Sequence, residues 1–207
     1  MPPFFDDEYL RREQAPALRF DVSIFFKNIA IFAFSIILRY NLFRSFFCKV
    51  TFMMENDLLI TFKKVEKGTL LAAALLDFVK GFSWEEVKEH TVRVIENWEF
   101  EEWETPFVAM AGNCIVGMVT VMKTDYYPLP EIYPWVSTLF VTEEYRGRRI
   151  SERLIAFANS YAKDLGFEKT YIPSEHIGLY EKYGYRYIKD IVNYGGGTDR
   201  LYAKDLI

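Results

Sequence analysis

Arg146, Gly147, Arg148 and Arg149 carry the densest chemical signal in the chain. Three guanidinium groups around a glycine can grip an anion, because arginine presents a planar fork of donors and glycine lets the backbone come close. A basic run alone usually marks a solvated turn. This one follows the apolar stretch Trp135 to Val141 and precedes Ile150 and Ser151, the start of an amphipathic segment that reaches Leu165. It therefore stands at a strand-to-helix junction, where free first-turn N–H groups and the helix dipole both favour negative charge. Charge, glycine and junction together suit a pyrophosphate.

Holding that junction in place requires a sheet with helices around it. Alternation from about Leu58 to Lys64 predicts a first strand, closed by Gly68. Two helices are expected over about Thr69 to Lys80 and Ser83 to Trp98, the second opened by a Ser83/Glu86 capping box. Phe107 to Ala111 and Ile115 to Lys123 flank Gly112-Asn113 as a hairpin, with a turn of two residues or more. A proline-rich loop from Tyr126 to Pro134 leads into the strand Trp135 to Val141. The helix Arg149 to Leu165 carries an apolar stripe of Ile150, Leu154, Phe157, Ala158, Tyr161 and Leu165, with Gly166 as its stop. A strand at Glu168 to Ile172, a short helix at His176 to Tyr183, and strands at Tyr185 to Ile191 and Arg200 to Asp205 complete the order. Such a sequence of elements is α/β.

Composition narrows the classes of partner. With 51% hydrophobic and 26% charged residues among 207, the chain can bury a core and is not a disordered or fibrous sequence. Its net charge of −4 supplies no global field for nucleic acid or an anionic membrane. Eleven of the nineteen phenylalanines fall within residues 1–53. The remaining 18 of 25 Lys/Arg and 24 of 29 Asp/Glu leave the part from Met54 onward at −6. The chain is therefore expected to divide into an aromatic-rich extension over 1–53 and a catalytic-sized domain over 54–207. Within the extension, residues 22–43 are the candidate for membrane association, although the uncharged run Ile29 to Leu38 is shorter than the roughly 20 residues of a span. A packing helix, or a natural start at Met53 or Met54, are the other readings. Cys48 and Cys114 cannot build a disulfide framework and no Cys/His cluster has metal spacing, so a metal-free, cytoplasmic protein is expected. Cys114 reads as a small buried residue rather than an acyl carrier.

Two motifs give the chain a family likeness. Arg146-Gly147-Arg148-Arg149-Ile150-Ser151 resembles the Arg/Gln-x-x-Gly-x-Gly/Ala motif of the GNAT acyltransferase superfamily, and Leu179-Tyr180-Glu181-Lys182-Tyr183-Gly184-Tyr185 resembles its LYEKxGF signature. Arg149 stands at the motif's usual glycine and Ser151 at its Gly/Ala. The Arg149 departure implies either a widened loop or a guanidinium that itself meets phosphate. The resemblance implies a mixed, mainly antiparallel sheet splayed at the Trp135 and Glu168 strands, with helices on both faces and acetyl-CoA in the split. Its binding residues would be Leu139, Phe140, Val141, Arg146, Gly147, Arg148, Arg149, Ile150, Ser151 and Tyr180. It also implies that Tyr180 protonates the departing thiolate, which suits a phenol of ordinary pKa about 10, and that a backbone N–H near Leu139 meets the oxyanion. Homodimers are common among such folds.

An amine must be neutral to attack a thioester, so a group near it must take a proton. Glu131, ahead of the Trp135 strand, and His176, ahead of Tyr180, are the candidates, with His176 equally readable as a solvent-facing residue. Eight glutamates between Trp84 and Glu104, with Trp84, Trp98 and Trp103, suit a cationic acceptor, or else a solvated acidic face. The expected activity is N-acetyl transfer from acetyl-CoA to a small cationic amine, directly within a ternary complex. A protein N-terminal or lysine acetyltransferase and a non-catalytic acyl-CoA-binding domain are the alternatives.

Overall fold

The computed structural model describes residues 59–206. The expectations for residues 1–53 and for the start at Met53 or Met54 lie outside the described residues. Among the described residues, no helix is long and apolar enough to cross a membrane.

Seven strands form one sheet in the order β1-β2-β3-β4-β5-β7-β6. The first four are β1 (Ile60–Lys64), β2 (Thr105–Ala111), β3 (Cys114–Met122) and β4 (Trp135–Val141). They pair antiparallel, and β2 and β3 close through a two-residue turn at Gly112-Asn113, with Ala111 opposite Cys114. Cys114 is half-buried at the head of β3 rather than fully enclosed. The last three, β5 (Lys169–Ser174), β6 (Arg186–Val192) and β7 (Thr198–Asp205), form an antiparallel unit of their own. The two halves meet where β4 and β5 run parallel, and they pair only at Trp135 and Tyr171. The GNAT-like α/β architecture expected from the motifs is present, split included.

Helices α1 (Leu70–Lys80) and α2 (Glu85–Asn97) cover one face, and α3 (Ile150–Asp164) covers the other. Thr69 caps α1 by accepting a hydrogen bond from the Ala72 N–H at 3.2 Å. The Ser83/Glu86 box does not form: Trp84 occupies the N-cap of α2 and makes no side-chain cap bond. Alternation along β3 and β4 divides the core. Val119, Val121 and Val136 point to Leu154, Ile155 and Ala158 of α3, whereas Met118 and Phe140 point to Leu75, Val79 and Phe82 of the α1 side. Two members of the expected α3 stripe stay outside, since Phe157 and Leu165 are exposed and Ile155, Asn159 and Ala162 are buried instead. A wide stripe can rotate by one position without losing its period, and the sheet's curvature decides which edge is covered. The expected helix from His176 shrinks to one 3₁₀ turn at Tyr180–Tyr183.

Gly117 explains how closely β4 and α3 approach. A Cβ there would lie 2.9 Å from the Phe140 carbonyl oxygen and 3.2 Å from both Leu154 and Val141. Glycine at this position brings the end of β4 directly under the start of α3.

Candidate active site

Past Trp135 and Tyr171 the parallel strands diverge, so the β5-facing edge of β4 from Val136 to Val141 has no strand partner among the described residues. Partway along that edge Thr138 adopts φ 48°, and two β4 residues, Thr138 and Leu139, oppose the single Val119 of β3 between the Thr120–Ser137 and Met118–Phe140 pairs. This is a β-bulge, which bends the strand outward and re-aims its backbone groups. Sequence patterning does not reveal it, because a threonine in the left-handed region is held there only by its surroundings. Leu139 and Val141 are half-buried along the divergent edge. The Phe140 side chain turns away, stacking on Phe82 with ring centroids 4.1 Å apart, so only its backbone faces the split.

Beyond Val141 a 3₁₀ turn, Glu143–Tyr145, carries the chain to the arginine cluster. Arg146 Nε donates to the Val141 carbonyl at 3.1 Å, which ties the loop to the strand end. Gly147 has φ 78° and nothing within 4 Å of where a Cβ would be, leaving its backbone open to approach. Arg148 lies over the Tyr145 ring, 5.2 Å from its centroid. Arg149, the N-cap of α3, holds φ 57°, a conformation that favours glycine. Its guanidinium reaches forward to Glu152, with Nη2 to Oε1 at 2.8 Å, and this pairing holds the Glu152 carboxyl below the ordinary range. No side-chain hydrogen bond caps α3, so its first N–H groups keep their capacity for an anion. Ile150 is core, and Ser151 Oγ lies 3.2 Å from the Tyr183 hydroxyl, joining the head of α3 to the 3₁₀ turn.

Across the split, Tyr180 is 7% exposed, with its ring among Tyr183, Tyr185 and Tyr202 at centroid distances of 6.1, 6.3 and 5.6 Å. Burial pushes its phenol above the ordinary value, with Ser174 at the end of β5 opposing the shift. A buried lock supports this wall: the Thr170 and Tyr185 hydroxyls each donate to Asn159 Oδ1 at 2.8 Å, linking β5, α3 and the loop after Tyr180.

The two candidate bases differ from that order. His176 is exposed in the turn after β5, its Nδ1 3.3 Å from Ser174 Oγ, while its carbonyl accepts the Tyr202 hydroxyl at 2.6 Å. Glu131 is exposed in the loop before β4 and makes no hydrogen bond or ion pair among the described residues. The acidic stretch is largely engaged locally. Glu85 pairs with Lys88, Glu96 with Lys80, Glu99 with Arg93 and Glu101 with Lys123, while Glu104 accepts the Lys123 and Glu101 N–H groups. Trp103 packs toward Phe167 and Tyr133 on the α3 side.

Asp125 is the carboxylate that sequence reasoning passed over. It accepts the Tyr126 N–H at 2.6 Å and a short hydrogen bond from the Ser137 hydroxyl, next to the bulge in β4. Burial raises its pKa, and Asp199 adds to this, while the two hydrogen bonds and His90 act against it. Tyr127 donates to Asp199 at 2.7 Å and stacks on Trp135 at 5.7 Å. A lone aspartate just ahead of a proline-rich loop carries no signal in the sequence; only the return of the chain over β4 makes it notable.

The comparisons agree with this geometry. Residues 68–185 match the model of the Acetyltransferase (GNAT) family. No curated protein sequence gives a significant match. Among solved structures, an aminoglycoside 6'-acetyltransferase type Ii is 18% identical with a TM-score of 0.57, over 71% of this chain and 97% of that one. An aminoglycoside 6'-N-acetyltransferase complexed with coenzyme A is 15% identical with a TM-score of 0.56, over the same shares. An acetyltransferase from Streptococcus agalactiae is 18% identical with a TM-score of 0.53, over 70% and 98%. The strand split, the loop into an uncapped α3, the buried tyrosine opposite and a family match over more than half the chain make this protein an N-acetyltransferase of the GNAT family.

Proposed function

We propose that the protein moves an acetyl group from acetyl-CoA to a primary amine of a small cationic molecule, by direct attack within a ternary complex. The observation that carries this reading is the divergence of β4 from β5, with an uncapped helix at one end and a protonated phenol on the far wall. The residues present fit acetyl-CoA. Open backbone at Gly147 and the Arg146 and Arg148 side chains suit the pyrophosphate, and the unpaired edge of β4 near Leu139 suits the pantetheine amides and the thioester oxygen. Arg149 contributes backbone geometry in this reading, since its guanidinium is engaged by Glu152. Tyr180 supplies the proton that the sulfur needs as it departs, and proximity supplies most of the rest. The names of the aminoglycoside-acetylating structural neighbours support a small-molecule acceptor over a protein amine.

Two measurements test the proposal. Acetyl-CoA should raise the melting temperature of the full chain in a concentration-dependent way, and free thiol should appear when an amine panel is added. Stabilisation without thiol release on any amine, including peptide N-termini and lysine peptides, would favour the non-catalytic binding domain.

A further inference from the structure

The face of the sheet that carries α1 and α2 is apolar at both ends and polar in the middle. Met118 and Phe140 belong to the α1 cluster, and Trp135, with Met122 and Tyr171, belongs to a second cluster. Between them, Thr120 and Ser137 face each other in register. Paired residues on neighbouring strands place their side chains on the same face, close enough to meet a common partner. Ser137 Oγ donates to Asp125. Thr120 is 4% exposed, and its Oγ1 has no hydrogen-bond partner among the described residues. An enclosed hydroxyl left unpaired is costly, and its presence points to a polar ligand that the site is shaped to receive. The Trp135 indole N–H, fully enclosed beside this strip, also has no hydrogen-bond partner among the described residues.

Charge around the strip is mainly negative, with His90 as the opposing group. Asp125 comes from the loop after β3 and Asp199 from β7, with the Tyr127 hydroxyl held on Asp199. Glu175, just past the end of β5, raises the Tyr127 pKa, and His90 of α2 lowers that of Asp125. The Asp125 carboxylate uses one acceptor position on each oxygen, for Tyr126 N–H and Ser137, and keeps capacity for a further donor. Ser137 lies two residues past the last β4 to β5 pair, and Ser174, the neighbour of Tyr180, three residues past it on the other strand. The polar strip therefore opens at the mouth of the same split.

Resting on the acetyltransferase reading, we propose that Asp125, with Ser137 and Thr120, receives the ammonium group of the acceptor and takes its first proton. The ammonium gives one proton to the Asp125 carboxylate, which passes it to solvent. The neutral nitrogen forms the C–N bond as the C–S bond breaks, Tyr180 protonates the sulfur, and the nitrogen's second proton restores Tyr180. One hydrogen remains on the amide.

The test uses the full chain with CoA bound and 1,4-diaminobutane, tyramine and glucosamine as probes, with butan-1-ol as the uncharged control. At least one amine, and not the alcohol, should stabilise the protein, and Asp125→Asn should lose that shift while keeping the shift with acetyl-CoA. If no amine stabilises it, or if Asp125→Asn responds as the parent does, the Asp125 assignment is overturned; a missing shift with acetyl-CoA instead overturns the acetyltransferase reading. Thr120→Val removes the unpaired hydroxyl without changing shape, so it should not lower stability, yet KM for the amine should rise about fivefold or more. An unchanged KM with raised stability would mean that Thr120 is only a core residue and would count against the site. With an accepted amine, kcat/KM should rise with pH through an acidic limb above the ordinary carboxylate range, and Asp125→Asn should remove that limb while His90→Gln retains it.

Discussion

Arg149 turns its guanidinium onto Glu152, Nη2 to Oε1 at 2.8 Å, from a backbone held at φ 57°. A motif that elsewhere relies on glycine keeps the glycine conformation here with a side chain attached, and the side chain is parked along the first turn of α3. Arg149→Gly relieves the backbone and gives up an exposed ion pair, which contributes little in water. The melting temperature should stay within about 2 °C of the parent or rise. A fall beyond about 5 °C would show that the pairing with Glu152, rather than the backbone, sets the loop.

Arg146 anchors the loop through Val141 and leaves its outer nitrogens exposed, 3.7 Å from Glu143. Arg146→Ala should weaken acetyl-CoA binding about tenfold, in line with one charge-assisted hydrogen bond. Titration calorimetry at two salt concentrations should also find a shallower salt dependence than in the parent.

For Tyr180 to serve as the acid of the proposed transfer it must stay protonated, and its burial raises the pKa above the ordinary 10. The phenol is therefore protonated throughout the neutral range, and its contribution is lost only as pH climbs through that raised value. Stopped-time thiol assays should find no alkaline fall due to Tyr180 below about pH 10. Tyr180→Phe should lower kcat by about 10- to 100-fold with little change in acetyl-CoA affinity. Equal turnover by the two proteins would place the acid elsewhere.

Gly117 lies against the Phe140 carbonyl, Leu154 and Val141 with no room for a methyl group. Gly117→Ala should cost about 1–3 kcal/mol in urea denaturation, because the obstructing atoms include backbone that cannot rotate away. Acetyl-CoA affinity should fall as well, since β4 and the head of α3 are displaced together.

Glu99, Glu101 and Glu102 belong to the acidic stretch that suits a cationic acceptor. Glu99 and Glu101 pair with Arg93 and Lys123 instead. Converting all three to glutamine should leave KM for an amine substrate within about twofold, as expected for solvated surface pairs. A severalfold rise in KM would return this stretch to the acceptor site.

The order of elements was legible because periodicity and turn chemistry are local. Trp135–Val141 reads as a strand from its apolar run, and Gly112-Asn113 reads as a tight turn. The Ser83/Glu86 cap does not form, because the helix starts one residue later behind an exposed Trp84, while Thr69, read as the first residue of its helix, stands just before α1 and caps it.

By itself the sequence determined the arginine-rich turn at Arg146 to Arg149, the Leu179 to Tyr185 motif and the strand and helix on either side of the turn, since each depends on neighbours in the chain. Tertiary structure alone decided the bulge at Thr138, the divergence of β4 from β5, and the meeting of Asp125 with Ser137 across twelve residues. Local propensity encodes which residues form a strand. Where that strand leaves its neighbour, and which distant carboxylate folds back onto it, depend on packing between elements far apart in the chain.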